Sequence, residues 1–458
     1  MTRRPDDAQS IFPMITTAPR MQHPIFGAYV QDTSFFALTR VTLFGIIFLN
    51  SQFFFVKGAN PFGIYFVQEL YLLFIFLYSI FYIIRNKGIL SYIDFFVLFY
   101  VALFVLLSSI FAYFTYGQPL LFGVFESRVT FMTLVYFPLK DLIRGNTHRM
   151  IYAMDRIVYI CLFFVFLGAL TKLGIVSVTQ YYAFGTSDVT ARGVNFEEFL
   201  RGDRMATGRF YFIFITIYAT LMFVLTMKRF WGILLLLFIW YVFFVLQERQ
   251  SMVGIMIAVG VLMGAELSFK RMRRGMVIML GGVVALAALI VLQGGIFGSL
   301  SALVADTVAA DITNLARFQT ALTIFENMKW LTGHGVLSPL WNGGFHDIYS
   351  PLFFLGDVGL LGTIFRLGGI PGITILLIAV AFFVWLVRRT PAPMVRRLMW
   401  MLVSYLVVTA LTSAPFEYRG HYLALMLIII EMYRMRQPVA VKVPVSGWNR
   451  SGIGPYGA

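Results

Sequence analysis

Charge is the scarcest commodity in this sequence. Asp, Glu, Lys and Arg make up only 12% of its 458 residues, where a soluble globular chain carries about 25%. That shortage excludes a string of soluble domains. Cysteine is nearly missing: the single Cys161 lies in an apolar run, so no intrachain disulfide can form and the thiol is expected to be a packing group. The segments expected to lie outside the membrane contain no HExxH, CxxC or DxD-like run, so no metal is expected. A phosphate-binding P-loop and a dinucleotide-type glycine pattern are also missing. No cofactor is therefore expected, and any group that is transferred must arrive already activated. Met1-Thr2-Arg3-Arg4-Pro5-Asp6-Asp7 is followed by no apolar stretch. A cleavable signal peptide is not expected, and the first span should direct insertion itself.

What the chain has in abundance is apolar residues, 59% of the total, with a mean hydropathy of +0.82. They come in long continuous runs rather than the alternating ten-residue strands of a barrel. The expected fold is all-α and polytopic, since a transmembrane helix needs roughly 20 apolar residues. Twelve spans are read, at about 34–55, 63–84, 92–114, 123–143, 151–172, 209–227, 230–247, 251–267, 276–294, 351–387, 398–413 and 420–434. Residues 1–33 read as a cytoplasmic tail, 34–435 as one membrane domain, and 436–458 as a disordered cytoplasmic tail rich in Gly, Pro and Ser.

The net charge of +15 would suggest nucleic acid in a soluble protein. Here it follows the positive-inside rule. With the N-terminus in the cytoplasm, inner segments hold more than twice as many Lys and Arg as outer ones, and both termini fall inside. Two outer loops are long, about 173–208 and 295–350. The segment 351–387 exceeds one straight span, and Gly368-Gly369-Ile370-Pro371-Gly372 should break or kink it. Neither an internal repeat nor a matched pair of broken helices is seen, which weighs against a secondary transporter.

Arginines on the outer side stand out because topology disfavours them there. Arg204 and Arg209 precede the sixth span, Arg249 sits in a short outer turn, and Arg317 lies on an apolar-periodic segment, Ile312–Trp330. Each has an ordinary explanation: a snorkelling stem, a local pair with Glu248, or a solvated helix face. Together, arginines from three outer segments suit a multiply charged anion, because guanidinium forks match phosphate oxygens. His346 follows a Gly-Gly turn. It is either structural or a general base, with Asp347 or Asp357 as the acid that orients it. Glu126 and Arg128, near the outer end of the fourth span, are further candidates to line the same region.

These residues resemble the O-antigen ligase/polymerase superfamily of bacterial envelope glycosyltransferases, whose fold is GT-C-like. The resemblance rests on topology over residues 30–435 and on three elements: Arg204-x-x-x-Gly208, the outer-turn Arg249, and the series Arg317…Gly333-x-Gly335…His346…Gly356-x-x-Gly359-x-x-Gly362. This chain has Glu248-Arg249 where the family often has Ser-Arg, and His346-Asp347 where it has His-Asn. The resemblance implies a metal-independent enzyme of the bacterial inner membrane with a periplasmic site. It implies an undecaprenyl-diphosphate-linked glycan donor and a glycan or lipid A–core acceptor. Arg204, Arg249 and Arg317 would then grip the diphosphate, and His346 would be the base. A polymerase is slightly favoured over an O-antigen ligase. A polysaccharide flippase is the competing class.

Overall fold

The computed structural model describes residues 21–29, 32, 34–51, 64–175, 208–246, 249–266, 317–342, 344–351, 353–411 and 420–436. Most of them are helical. A short antiparallel hairpin, β1 (Met21–His23) and β2 (Gly27–Tyr29), precedes α1 (Ala37–Asn50) and α2 (Ile64–Arg85). Next come α3 (Tyr92–Tyr116), α4 (Leu120–Glu126) and a 3-10 turn (Arg128–Val135) running into α5 (Tyr136–Ile143). Then follow α6 (Thr147–Lys172), α7 (Arg209–Thr226), α8 (Arg229–Val245) and α9 (Arg249–Glu266). After the helical stretch 317–326, α10, come α11 (Phe345–Ile348) and α12 (Leu360–Leu367). The last three are α13 (Gly369–Arg389), α14 (Pro393–Ala410) and α15 (Gly420–Arg436).

Four helices, α3, α6, α7 and α13, are long and apolar enough to cross a membrane, and the α4–α5 pair makes a fifth if its two arms are one span. This architecture fits an α-helical membrane protein. Helices overlap eleven of the apolar segments read from the sequence, and 351–387 is divided into α12 and α13 at Gly368. Segment 276–294, most of loop 173–208, residues 295–316 of the second long loop and both chain ends lie outside the described residues. Two differences have physical causes. The segment 123–143 is not straight but bends by 55°. Ser127 at the corner accepts a hydrogen bond from Arg366, and Gly123 lets this arm approach Ser109, where a Cβ would lie 2.6 Å from the hydroxyl oxygen. Residues 21–29, within the expected tail, fold against the helices instead. Ile25 and Phe26 are buried, and Tyr433 donates to the Phe26 carbonyl at 3.0 Å.

One end of the bundle is tied by ion pairs. Lys140 bonds Asp94 at 2.5 Å and Glu431 at 3.0 Å, all three deeply buried. Glu431 also pairs with Arg434. Nearby, Arg85 meets Asp141 and Arg149 meets Asp32, each at 2.6 Å. Several basic residues expected on the inner side thus gather at this end. Paired and hydrogen-bonded charges are the form in which burial is tolerated. The opposite end holds the α1 terminus, where Gly208 N–H donates to the Ser51 carbonyl, and the ion pair of Arg128 with Glu69 at 2.7 Å. Arg128 is therefore occupied locally.

Candidate active site

A cap built from residues 317–362 closes this second end. It hangs from the turn after α3. Gln118, fully buried, donates to the Val336 carbonyl at 3.0 Å and accepts from Ser338 N–H at 2.8 Å. The run 329–335 is laid against the break between α12 and α13. His334 N–H donates to the Phe365 carbonyl, Gly335 N–H to Arg366, and Gly369 and Ile370 N–H to Lys329 and Trp330. The glycines of the sequence series make this crossing possible. A Cβ on Gly333 would lie 2.0 Å from the Arg366 carbonyl oxygen. One on Gly359 would lie 2.3 Å from that of Ala410. Gly335 and Gly368 also take φ of +71° and +92°, a region open to glycine without steric penalty. Gly333, Gly335, Gly359 and Gly362 thus each stand where a side chain would meet backbone atoms.

Arg366, at the break, is buried in the bundle. It donates to Ser108 and Ser127 and reaches the Phe104 carbonyl at 3.4 Å. The π-helical turn Leu103–Leu107 in α3 presents that carbonyl; such widened turns recur where a helix serves a special contact.

Within the cap, Arg317 and Thr320 share one face of α10, three residues apart. Thr320 is buried and accepts from Phe354 N–H at 3.3 Å. The Phe354 ring meets the His346 ring edge-on at 5.0 Å. Thr320, Phe354 and His346 are therefore linked in series, with Arg317 one helical turn before Thr320. Arg317 is half-buried, and its Nε is buried with no hydrogen-bond partner among the described residues. A buried donor of this kind suits an anionic acceptor.

His346 stands on α11, which Gly344 begins with φ +70°. Its Nδ1 lies 3.1 Å from the Pro351 carbonyl oxygen. A carbonyl only accepts, so Nδ1 carries the proton and Nε2 carries the lone pair of the neutral ring. A base needs that tautomer. Among the described residues, the group seen to meet Nδ1 is this carbonyl. Asp347 is exposed, and the Asp357 side chain lies outside the described residues.

A second histidine is more deeply set. His334 is 4% exposed and stacks on Phe365 at 4.1 Å. Its Nε2 donates to the Asn327 carbonyl at 2.7 Å, so Nδ1 accepts from the Tyr116 hydroxyl at 2.6 Å. Tyr349 in turn bonds Tyr116 at 2.9 Å. Burial pushes the His334 pKa below its ordinary value. The neutral ring is thus a rivet between α3 and the cap. Only its two flanking glycines signalled it in the sequence.

Arg204 lies outside the described residues, as does the Arg249 side chain, although Arg249 begins α9. Arg209 begins α7, its guanidinium 5.5 Å from the Phe210 ring. Phe210 packs on His421, itself buried, at 4.0 Å. Sequence reading passed over His421; its burial gave no periodic signal. Among the described residues no three His, Cys, Asp or Glu side chains converge as metal ligands would. No family model matches this sequence, and no curated protein matches it.

Proposed function

We propose that this protein is a membrane glycosyltransferase of the O-antigen ligase/polymerase kind. In this reading twelve spans place both termini in the cytoplasm and the cap in the periplasm of the bacterial inner membrane. Arg317, joined by Arg204 and Arg249 with Arg209 nearby, neutralises the diphosphate of an undecaprenyl-linked glycan donor. His346 Nε2 takes the proton of the acceptor hydroxyl as it attacks the anomeric carbon, and the lipid diphosphate leaves. Fixed cations aimed at the developing charge lower the barrier. No cofactor takes part, because the donor carries its own leaving group. A polymerase is slightly favoured, with another lipid-linked glycan as acceptor. A ligase would use lipid A–core instead.

The observation that carries the reading is the buried Nε of Arg317, unpartnered among the described residues and one turn from Thr320, which bonds Phe354, whose ring meets His346, with His346 Nδ1 facing the Pro351 carbonyl. The test is surface polysaccharide from cells producing His346→Ala or Arg317→Lys at wild-type levels in the membrane. Loss of long-chain glycan in the first, and at least a tenfold drop in the second, are expected, since a lysine cannot reproduce a bidentate fork (tenfold is about 1.4 kcal/mol). Normal glycan in both contradicts the assignment. Single repeat units still attached to core mark a polymerase, whereas polymer stranded on carrier lipid marks a ligase.

A further inference from the structure

The helix α10 has three distinct faces. At about 100° per residue, Arg317, Thr320 and Ile324 point one way, and Thr320 and Ile324 are buried in the cap. Gln319, Thr323 and Glu326 form a polar side, of which Gln319 and Glu326 are exposed. The third side is apolar and uncovered: Phe318 is 62% exposed, Leu322 44% and Phe325 63%. Trp330 and Leu331, just beyond the helix, extend this surface at 63% and 76%. A contiguous apolar patch of this kind marks a partner.

The level of the patch is fixed by two helices long and apolar enough to cross the membrane. Lys329 Nζ donates to Thr115 at the end of α3, at 3.2 Å. Ile370 N–H at the start of α13 donates to the Trp330 carbonyl at 2.8 Å, and the Trp330 ring lies against Gly369. Both helices continue the uncovered apolar surface: Phe114 on α3 is 77% exposed and Ile370 on α13 is 54% exposed. Exposed apolar side chains thus lie on α10, on Trp330 and on both candidate membrane helices that hold it, and a tryptophan at such a junction has the place of an interfacial one.

We propose that α10 lies in the membrane interface and seats Phe318, Leu322 and Phe325 among the acyl chains of the leaflet that borders Tyr116 and Gly369. A helix with one face in lipid, one in water and one on protein has the division of an interfacial anchor. Its adjacent face then holds Arg317 at the depth of the lipid phosphates. That last consequence rests on the function proposed above; the insertion does not.

Full-length protein carrying Phe318→Cys, Leu322→Cys, Phe325→Cys or Gln319→Cys is labelled with a nitroxide and reconstituted into phosphatidylethanolamine–phosphatidylglycerol vesicles. Native Cys161 is fully buried and stays unlabelled. Collision with oxygen and with a soluble nickel chelate is then measured. The expected result is severalfold higher oxygen than nickel accessibility at 318, 322 and 325, with the reverse at 319. Nickel access at the three apolar positions puts the patch in water and overturns the proposal. Low access to both reagents there means that another protein segment or a second copy covers it, which also overturns it. Lipid contact at all four positions overturns it too, because the helix would be immersed rather than interfacial.

Discussion

At the residue scale, the glycines and the histidines divide the work differently from what their spacing suggests. The sequence marks Gly333, Gly335, Gly359 and Gly362 as a series, and the structure explains them by chain crossings. Spacing alone showed where the glycines fall but not the Arg366 carbonyl opposite Gly333, 33 positions away. Gly333→Ala should therefore lower stability by about 3 kcal/mol or more, as forced backbone displacement does. Thermal unfolding of the purified protein in detergent checks this, with Gly260→Ala as the control. A Cβ at Gly260 meets nothing within 4 Å, so an equal loss in both would contradict the account. His346 was legible as a candidate base from its turn. Its orienting partner was not, because a backbone carbonyl five residues on leaves no mark in side-chain chemistry.

At the scale of elements, apolar runs set the helices, and tertiary contacts decide where they bend. Gly368 announces the α12–α13 break in the sequence. The bend at Ser127 has no glycine or proline at its corner and depends on Arg366 arriving from the far end of the chain. The ion cluster Lys140–Asp94–Glu431 was equally hidden, since its members come from α5, α3 and α15. Lys140→Met leaves the buried Asp94 carboxylate without its cation, while Glu431 keeps Arg434, and should cost about 3–5 kcal/mol. Adding Asp94→Asn should recover part of that loss, read as a partial return of the unfolding midpoint. No recovery would mean that Lys140 acts by packing alone.

The N-terminal hairpin should respond to pH. His23 Nδ1 accepts from Ile25 and Phe26 N–H, both at 3.2 Å, and the ring stacks on Phe26 and Tyr218. Burial lowers its pKa from 6.5 to about 4. The unfolded hairpin therefore binds a proton before the folded one does. The neutral ring contributes its full stabilisation above about 6.5 and loses it as the pH falls through about 4. Amide exchange at residues 25 and 26, corrected for intrinsic rates, should be protected at pH 7 and released near pH 4. Unchanged protection across that range would contradict the role given to the ring.

At the scale of the whole molecule, the basic end is riveted by buried ion pairs and the other end carries a cap. That cap is hung from α3 by Gln118, Tyr116 and His334. It puts a cation and an imidazole at the mouth of an apolar bundle, which suits a reaction joining a lipid-borne donor to a polar acceptor. The most direct measurement is glycan transfer by purified protein in vesicles, given a labelled undecaprenyl-diphosphate-linked repeat unit in the presence of a metal chelator. The account predicts longer saccharide products and released undecaprenyl diphosphate, both lost in His346→Ala. Movement of the labelled lipid across the bilayer with no new glycosidic bond, or equal product from His346→Ala, would contradict it.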